Sequence, residues 1–539
     1  RSSKMKRWHM NRVAYLIGVG LLFASISGRA WADTYVIHLD PELGATPQSG
    51  RLIVFFITET SRSWTRAEPR RAPFFNKPQP IASVQVDELK PGEAIRIETF
   101  ESMVPIDLGE LEGPVRIQAL LDIDQTERGH NQGPGNLYSE VVEVELTRGD
   151  DDVIELTLVN RIPPRKRPQS EHENLVWVEF KSELLSDFYG RDIHHRAGVA
   201  LPLPYLNKDH PRQEWPAIYV IPGYGGREGS ASDYALMFRQ KGVEDIAPMG
   251  VTIVLDPESP LGHHGFVDSP NHGPRGQALV TELIPYLEKR FRLVARPEAR
   301  IVTGHSSGGW SSLWLQLRRP ETFGACWSTA PDPVDFSAFQ MTDLYVDENI
   351  YVNSNGEPTP SMRRLSGPRG QSEVMMTVCQ EGLMEWALHP EGGSGQQWDA
   401  WEAMFSPPGP PGPPGSPPGN PDLNFPVAMF DPQTGKIDKA VVEHWRAFDI
   451  THMVESDWAT YGPIVNDNVR LMCGEQDSYY LNRAVQRFKA MVEAKRENED
   501  GAGYVMLVPF ADHGTLREFV FQRINEEMRT HLRKHGLHD

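Results

Sequence analysis

A serine of this chain stands in a pattern typical of a catalytic nucleophile. Ser306 lies in the segment IVTGHSSGGW, residues 301–310, where a short apolar run breaks into Gly-x-Ser-x-Gly. Such a pattern predicts a tight turn between a strand and a helix, in which flanking glycines let neighbouring backbone come close to the serine. A serine presented in this way can carry out acyl transfer through a serine ester, provided that other residues activate it.

The groups that would activate Ser306 follow it in the chain. A serine hydroxyl needs a base, usually a histidine, that a carboxylate orients. Asp477 comes shortly after the apolar run 469–473, and His513 comes shortly after the apolar run 504–508. This order of serine, acid and histidine, each beyond a strand, is that of α/β-hydrolases. The spacing therefore predicts a triad of Ser306, Asp477 and His513.

Other residues could share in the site. Glu475 lies two residues before Asp477, and Asp332 follows the preceding strand-like run, so both are alternative acids. The histidines that precede Ser306 come in the wrong order for the base, although their loop follows a central strand. We expect three side chains to contact the substrate: His264, His272 and Trp310.

The tetrahedral intermediate of acyl transfer also needs backbone N–H donors for its oxyanion. One donor is expected from Ser307, directly after the nucleophile. The other is expected from the glycine-rich segment PGYGG, residues 222–226, which follows the apolar run 217–221. We predict Tyr224 as this second donor and Gly225 as its alternative. A nucleotide-binding loop is disfavoured because the G-x-G-x-x-G spacing and the P-loop lysine are absent from this segment.

The elements that must position these residues follow two patterns. Residues 33–160 contain about seven short alternating runs bounded by turns, which predicts an immunoglobulin-like antiparallel β-sandwich. Residues 161–172 are rich in proline and predict a linker. In residues 173–539 strands alternate with helices, which predicts an α/β domain, an α/β-hydrolase fold with a mostly parallel central sheet.

A large insertion, residues 331–466, interrupts the strand pattern of the second domain and predicts a cap over the site. Five tryptophans lie in it: Trp386, Trp398, Trp401, Trp445 and Trp458. Their rings could hold a sugar or an aromatic acyl group, or could pack the cap together. Residues 406–421 contain four Pro-Pro-Gly units, which predicts a stiff polyproline loop.

Composition restricts the partners and the compartment. Residues 1–32 combine basic residues, an apolar run and Ala-Trp-Ala, which predicts a cleaved signal peptide, export to the periplasm or medium, and no lasting membrane anchor. The formal net charge of −19 disfavours nucleic acid as a partner. The three cysteines lack the spacing of a metal site, so we expect no metal, and buried free thiols are favoured over a disulfide.

On these motifs, residues 175–537 resemble the esterase D-like family of α/β-hydrolases, which includes enterochelin, feruloyl and acetyl-xylan esterases and mycolyltransferases. The matching segments are 221–226, 304–309, 474–477 and 512–514. The resemblance implies a serine esterase without a cofactor, acting on a small or polysaccharide-linked ester. A β-domain ahead of the hydrolase domain is similar to enterochelin esterases. The insertion and the export signal depart from them and leave the siderophore substrate open.

Three interpretations of the function follow from these observations. The first is an exported serine esterase that acts through an acyl-enzyme. The second is a serine peptidase of the prolyl-oligopeptidase type, which shares the turn and the order of the triad but usually carries a far longer propeller domain. The third is a non-catalytic carbohydrate-binding protein on a hydrolase scaffold. The presence of serine, acid and histidine in the required order favours the first two over the third.

Overall fold

The computed structural model describes most of the chain beyond the predicted leader. The described residues are 34–537 except 60, 62–63, 65–67, 73–77, 106–109, 125, 148–151, 167, 208–212, 367–370, 411–424 and 498–500. The signal peptide predicted for residues 1–32 lies outside this part, and so does most of the proline-rich loop at 406–421.

Nine strands of the N-terminal region are joined into one hydrogen-bonded sheet: β1 Thr34–Leu39, β2 Gln48–Thr58, β3 Ile81–Leu89, β4 Ala94–Ile97, β5 Ser102–Val104, β6 Gly113–Asp122, β7 Leu137–Ser139, β8 Val142–Leu146 and β9 Val153–Arg161. Their order is β4-β1-β9-β7-β6-β2-β3-β5, and β8 pairs with β6. The sequence predicted about seven strands in two packed sheets. It missed β5 and β7 because three residues are too few to show an alternating pattern.

Strand β2 is apolar along most of its length because the sheet is buried on both faces. Leu52 and Val54 face the core enclosed by the N-terminal sheet. Phe55 belongs to a second buried cluster, which also contains Met384 and Leu388 of the insertion. The N-terminal sheet therefore packs against the insertion as well as enclosing its own core.

Fourteen strands lie in the rest of the described chain: β10 Leu175–Ser182, β11 Ile193–Ala200, β12 Ala217–Ile221, β13 Val251–Leu255, β14 Glu258–Ser259, β15 Gly262–His263, β16 Asp268–Ser269, β17 Gly273–Pro274, β18 Arg300–His305, β19 Ala325–Thr329, β20 Pro360–Leu365, β21 Ser372–Thr377, β22 Val469–Gly474 and β23 Tyr504–Val508. Eight of them form a sheet in the order β10-β11-β13-β12-β18-β19-β22-β23. The pairings of β11 are antiparallel. The pairings from β13 to β23 are parallel, so the carboxyl ends of these six strands share one edge.

The helices of the described chain cover both faces of this sheet and build the insertion: α1 Glu183–Tyr189, α2 Ala231–Met237, α3 Arg275–Ala278, α4 Ile284–Phe291, α5 Ser307–Arg318, α6 Val378–Leu388, α7 Gln397–Phe405, α8 Lys439–Trp445, α9 Ile450–Ser456, α10 Trp458–Asn468, α11 Asn482–Lys495 and α12 Leu516–Lys534. A π-helical turn, Leu279–Leu283, joins α3 to α4. Helix α5 is central: Leu313 belongs to the buried cluster that contains residues of the insertion, and Leu315 belongs to a second buried cluster with residues of β12 and β13.

The insertion, which contains the β20–β21 hairpin and α6 to α10, shares its core with the hydrolase sheet. Trp398, Trp401 and Trp445 are buried in the same cluster as Leu313 of α5. Trp445 is fully buried, and its ring nitrogen donates to Ser406 Oγ at 2.9 Å. These three rings therefore hold the insertion together, which corrects the alternative in which they bind substrate.

All three cysteines are free thiols. Cys326 and Cys473 are buried in the neighbouring strands β19 and β22, and burial raises the pKa of the Cys326 thiol to about 12. Both therefore act as small apolar side chains of the core, as the sequence predicted.

Candidate active site

Ser306 occupies the turn between β18 and α5. Its φ of 60° and ψ of −128° lie outside the regions that residues with a side chain prefer. The Ser306 N–H donates to the Thr329 carbonyl at 3.0 Å, which ties the turn to β19. A Cβ on Gly308 would lie 2.0 Å from the Ile221 carbonyl oxygen, so glycine is required where α5 begins against the end of β12. The half-buried serine is thus held at the carboxyl edge of the sheet.

Asp477 and His513 are directly hydrogen-bonded. Asp477 Oδ2 lies 2.8 Å from His513 Nδ1, and Asp477 Oδ1 accepts the N–H groups of Tyr479 at 2.9 Å and Leu481 at 3.3 Å. Burial alone would raise the pKa of Asp477, but the charge of His513 and these hydrogen bonds lower it below its ordinary value. An ionised carboxylate on Nδ1 selects the tautomer in which Nε2 of His513 can accept a proton.

The ring of His513 lies beside the turn that carries the serine. Its centroid is 4.5 Å from that of His305, the residue directly before Ser306. Burial would lower the pKa of His513, but Asp477 above all, and then Asp332 and Asp512, raise it above its ordinary value. Burial, together with the nearby His513, lowers the pKa of His305 to about 3, so the two rings do not carry charge at the same time at neutral pH.

The two alternative acids occupy different positions from Asp477. Asp332 is buried next to the serine turn: its N–H donates to the Ser306 carbonyl at 3.3 Å, and its carboxylate accepts the ring N–H of Trp401 at 2.8 Å. Burial raises the pKa of Asp332 to about 6. Glu475 is exposed to solvent. Of the three candidates, Asp477 is the one for which the structure has a hydrogen bond to His513.

The glycine-rich turn, residues 222–226, passes close to the nucleophile. A Cβ on Gly223 would lie 3.1 Å from Cβ of Ser306, so this approach needs glycine. The Gly225 N–H donates to Glu258 Oε1 at 3.2 Å. Because this N–H already has a partner, Gly225 is a poor oxyanion donor. The alternative prediction, in which Gly225 replaces Tyr224 as the second donor, is therefore corrected.

The two predicted oxyanion donors, Ser307 and Tyr224, directly follow Ser306 and Gly223 in the chain. Ser307 is the first residue of α5, and Tyr224 follows Gly223 in the turn. The Tyr224 hydroxyl donates to Gln396 Oε1 of the insertion at 2.5 Å. The side chain of Tyr224 therefore joins the glycine-rich turn to the insertion by a hydrogen bond.

The three predicted substrate contacts lie in the interior instead. His264, His272 and Trp310 are 2%, 0% and 1% exposed. The loop that carries the two histidines is covered by α7, to which Ser269 donates at the Ala403 carbonyl at 3.1 Å. Side chains that are at most 2% exposed offer almost no surface to a substrate, so these predictions are corrected. Burial lowers the pKa values of both histidines well below their ordinary range.

The structure adds residues to the site that the sequence did not indicate. Tyr479 packs its ring edge against His513 at 4.9 Å between centroids. Arg363 of β20 donates through Nε to the Asp477 carbonyl at 3.0 Å, and its N–H donates to the Ser478 carbonyl at 2.8 Å. Tyr479 could have been found from its place two residues after the acid. Arg363 is 114 residues from Asp477, and no local pattern connects them.

Two kinds of feature are absent from the described residues. None of the helices there has the length and apolar content needed to cross a membrane. No group of three or more His, Cys, Asp or Glu side chains in this part of the chain could hold a metal ion.

Comparisons with known proteins agree with these motifs. Residues 190–408 match the family model described as "Putative esterase", a segment that contains the Ser306 turn and the glycine-rich turn. The match ends before Asp477 and His513. No curated protein matches the chain.

Solved structures of several esterases and hydrolases are similar to the chain. A ferulic acid esterase is 14% identical with a TM-score of 0.38, over 67% of this chain and 97% of its own. A fluorophosphonate-binding serine hydrolase of Staphylococcus aureus is 12% identical with a TM-score of 0.36, over 66% and 98%. An S-formylglutathione hydrolase from Agrobacterium tumefaciens is 14% identical with a TM-score of 0.34, over 67% and 94%.

The family match covers two of the four segments on which the resemblance was based, residues 221–226 and 304–309. It includes β11 to β19, the serine turn and the first part of the insertion. Residues 190–408 of this chain are therefore similar to the putative esterase family, in agreement with the resemblance inferred from the motifs.

Proposed function

We propose that this protein is a serine esterase that hydrolyses carboxylic esters through an acyl-enzyme. The observation that carries the proposal is the 2.8 Å hydrogen bond between Asp477 and His513, with the His513 ring beside the turn of Ser306. An oriented imidazole next to a serine in a strained turn is the arrangement that activates a hydroxyl for acyl transfer.

The proposed reaction has two halves. Ser306 Oγ attacks the ester carbonyl while His513 Nε2 takes its proton, and the oxyanion accepts hydrogen bonds from the N–H groups of Ser307 and Tyr224. The tetrahedral intermediate collapses, His513 returns the proton to the departing alcohol, and the acyl group remains on Ser306. Water then attacks this ester with His513 again as base, which releases the acid and restores the serine.

Each alternative function has an observation against it. A peptidase of the prolyl-oligopeptidase type usually carries a propeller, whereas the N-terminal domain here is one sheet of nine strands. A non-catalytic binding protein has no need of a buried, ionised carboxylate on a histidine beside a strained serine. We therefore keep ester hydrolysis as the proposal.

The decisive experiment compares Ser306→Ala with the unchanged protein on short-chain nitrophenyl esters. We expect hydrolysis by the unchanged protein and loss of turnover in Ser306→Ala, because no other group forms the acyl-enzyme. Ser456→Ala is the matched control, since Ser456 is exposed at the end of α9. Full activity of Ser306→Ala would refute the mechanism. Cleavage of peptide amides without ester turnover would favour the peptidase instead.

The acyl group and the alcohol of the natural substrate are separate questions. A panel of feruloyl, acetyl-sugar and siderophore esters, compared by kcat/KM, would rank the candidate substrates. The basic and apolar pattern of residues 1–32 supports export as part of the proposal. N-terminal sequencing of the exported protein tests it, and cleavage after Ala32 is the expected result.

A further inference from the structure

A loop of the N-terminal domain reaches the glycine-rich turn beside the nucleophile. Arg128, in the loop between β6 and β7, lies with Nε 2.6 Å from Glu258 Oε2. Its guanidinium lies over the Tyr224 ring, 4.5 Å from the centroid. Only 11% of the Arg128 side chain and 1% of the Glu258 side chain are exposed. This ion pair is therefore shielded from the solvent that weakens surface pairs.

Glu258 connects Arg128 to the backbone of the turn. While Oε2 faces Arg128, Oε1 accepts the Gly225 N–H at 3.2 Å. Gly225 has a φ of +75°, and a Cβ there would lie 3.3 Å from Arg128 Nη2. The guanidinium is thus packed against the turn itself, and the carboxylate accepts a hydrogen bond from the turn. Removing Arg128 would leave Glu258 as a buried carboxylate without its nearest counter-ion, which is strongly unfavourable.

Hydrogen bonds and ion pairs hold the described residues of the loop that carries Arg128. Asn136 Oδ1 accepts the N–H groups of Ile123 at 2.7 Å and Asp124 at 2.8 Å, while its Nδ2 donates to the His130 carbonyl at 2.8 Å. The neighbouring Glu127 pairs with Arg227 at 2.8 Å and Arg196 at 3.5 Å. Arg128 therefore lies in a loop that is held by its own hydrogen bonds. Further ion pairs join this loop to the hydrolase domain.

The position of the turn matters for catalysis under the proposed function. Gly223 lies against Ser306, and Tyr224 supplies the proposed second oxyanion donor. An oxyanion hole works only when its donors are already in place, and a displacement of about 1 Å can cost a factor of about 100 in rate. A group that holds Gly225 also limits how far the adjacent amide can move.

We propose that the N-terminal domain serves as a positioning domain for the oxyanion-binding turn and that it acts through Arg128 and Glu258. This inference rests on the proposed esterase function and gives the domain a part in catalysis. It differs from the non-catalytic carbohydrate-binding alternative, because Arg128 and Glu258 are buried against the turn and do not face solvent.

The test is Arg128→Gln, assayed on a nitrophenyl ester and with a trifluoromethyl ketone, which forms a tetrahedral adduct on the serine. We expect kcat to fall by about 10- to 100-fold and KM to change by less than about twofold, because the substrate carbonyl gains its hydrogen bonds mainly in the transition state. The inhibition constant of the ketone should rise with the fall in kcat. A role in folding alone would lower the titrated fraction of active protein and leave both constants unchanged for the active fraction.

Arg165→Gln is the matched control. Arg165, from the segment after β9, pairs with Glu228 at 2.9 Å and Asp256 at 3.6 Å, at the same boundary between domains. Within the described residues, no ion pair joins Arg165 to Glu258 or to the glycine-rich turn. Its kcat and its ketone inhibition constant should stay within about twofold of those of the unchanged protein.

Glu258→Gln and the double variant complete the experiment. If Arg128 acts through Glu258, the double variant should lose no more activity than the worse single variant, whereas independent effects would multiply and overturn the inference. Should Arg128→Gln not fold, Glu258→Gln must show the same fall in kcat at constant KM. If the unchanged protein is an esterase and these substitutions leave kcat unchanged, the positioning role is overturned and the proposed esterase function stands. Absence of ester turnover in the unchanged protein would instead refute the proposed function.

Discussion

In the proposed mechanism, the Asp477 carboxylate orients the ring of His513 and stabilises the imidazolium that forms when Ser306 gives up its proton. Asp477→Asn should lower kcat about 10⁴-fold, because an amide carries no charge and can favour the wrong tautomer of the ring. The measurement is kcat on a nitrophenyl ester, with the active fraction determined by titration. Glu475→Gln, two residues earlier and exposed, should stay within about twofold. A greater loss in Asp332→Asn than in Asp477→Asn would reassign the acid to Asp332.

The ionisation of His513 predicts how the rate depends on pH. Its pKa lies above the ordinary value of 6.5, mainly because of Asp477, although burial opposes this shift. The base must be neutral, and a raised pKa keeps it protonated to higher pH. We therefore expect kcat/KM to increase with pH with a midpoint above 6.5 and then to level off. A midpoint below 6.5 would mean that burial outweighs the carboxylates.

The sequence located some site residues and not others for a physical reason. Ser306, Asp477 and His513 each follow a strand that is apolar on both faces, and such strands stand out in a sequence. His264 and His272 also follow a central strand, but α7 of the insertion covers their loop, and this packing leaves no local pattern. Arg128 joins the site through contacts across a domain boundary, which no spacing could indicate.

At the scale of elements, the β20–β21 hairpin of the insertion supports the loop that carries the acid. Arg363 lies in β20 with its guanidinium 4.5 Å from the centroid of Tyr480, and it donates to the Asp477 carbonyl at 3.0 Å. Arg363→Met should therefore lower kcat about tenfold, the equivalent of one lost charged hydrogen bond of about 1.5 kcal/mol.

Arg364→Met is the control within the same hairpin. Arg364 is partly exposed and pairs with Glu373 across the hairpin at 2.8 Å, away from the acid. It should stay within about twofold of the unchanged protein in kcat. Equal losses in both variants would mean that the hairpin matters only for folding. The pH midpoint of kcat/KM provides a second measurement, and it should move in Arg363→Met alone.

The elements themselves were predicted unevenly. Strands β12 and β23 have the bounds of the apolar runs 217–221 and 504–508, because each of these runs is apolar throughout. The insertion was located but its hairpin and helices were not, since its apolar residues pack against α5 and against each other on several sides. Tryptophans that could have been an aromatic surface are core residues for the same reason.

At the scale of the whole molecule, the two domains and the insertion share buried surface. Besides the ion pairs around Arg128, the cluster of Phe55 and Leu388 joins the N-terminal sheet to α6. The carbonyl of Ala387, near the end of α6, accepts a hydrogen bond from Ser83 Oγ of β3 at 2.6 Å. Two separately predicted domains joined by a linker would suggest independent folding, but these contacts favour unfolding as one unit.

Phe55→Ala tests this coupling, because Phe55 is 2% exposed and lies in the cluster shared with α6. Removing a buried phenyl ring should cost about 3 kcal/mol and lower the unfolding midpoint by about 5 °C. Tryptophan fluorescence is a selective reporter, since between residues 34 and 160 the chain has one tryptophan, Trp64. Val153→Ala, at a 53% exposed position of β9, is the control and should leave the midpoint unchanged. A fluorescence midpoint that does not move in Phe55→Ala, while circular dichroism reports an earlier partial transition, would mean that the domains unfold independently.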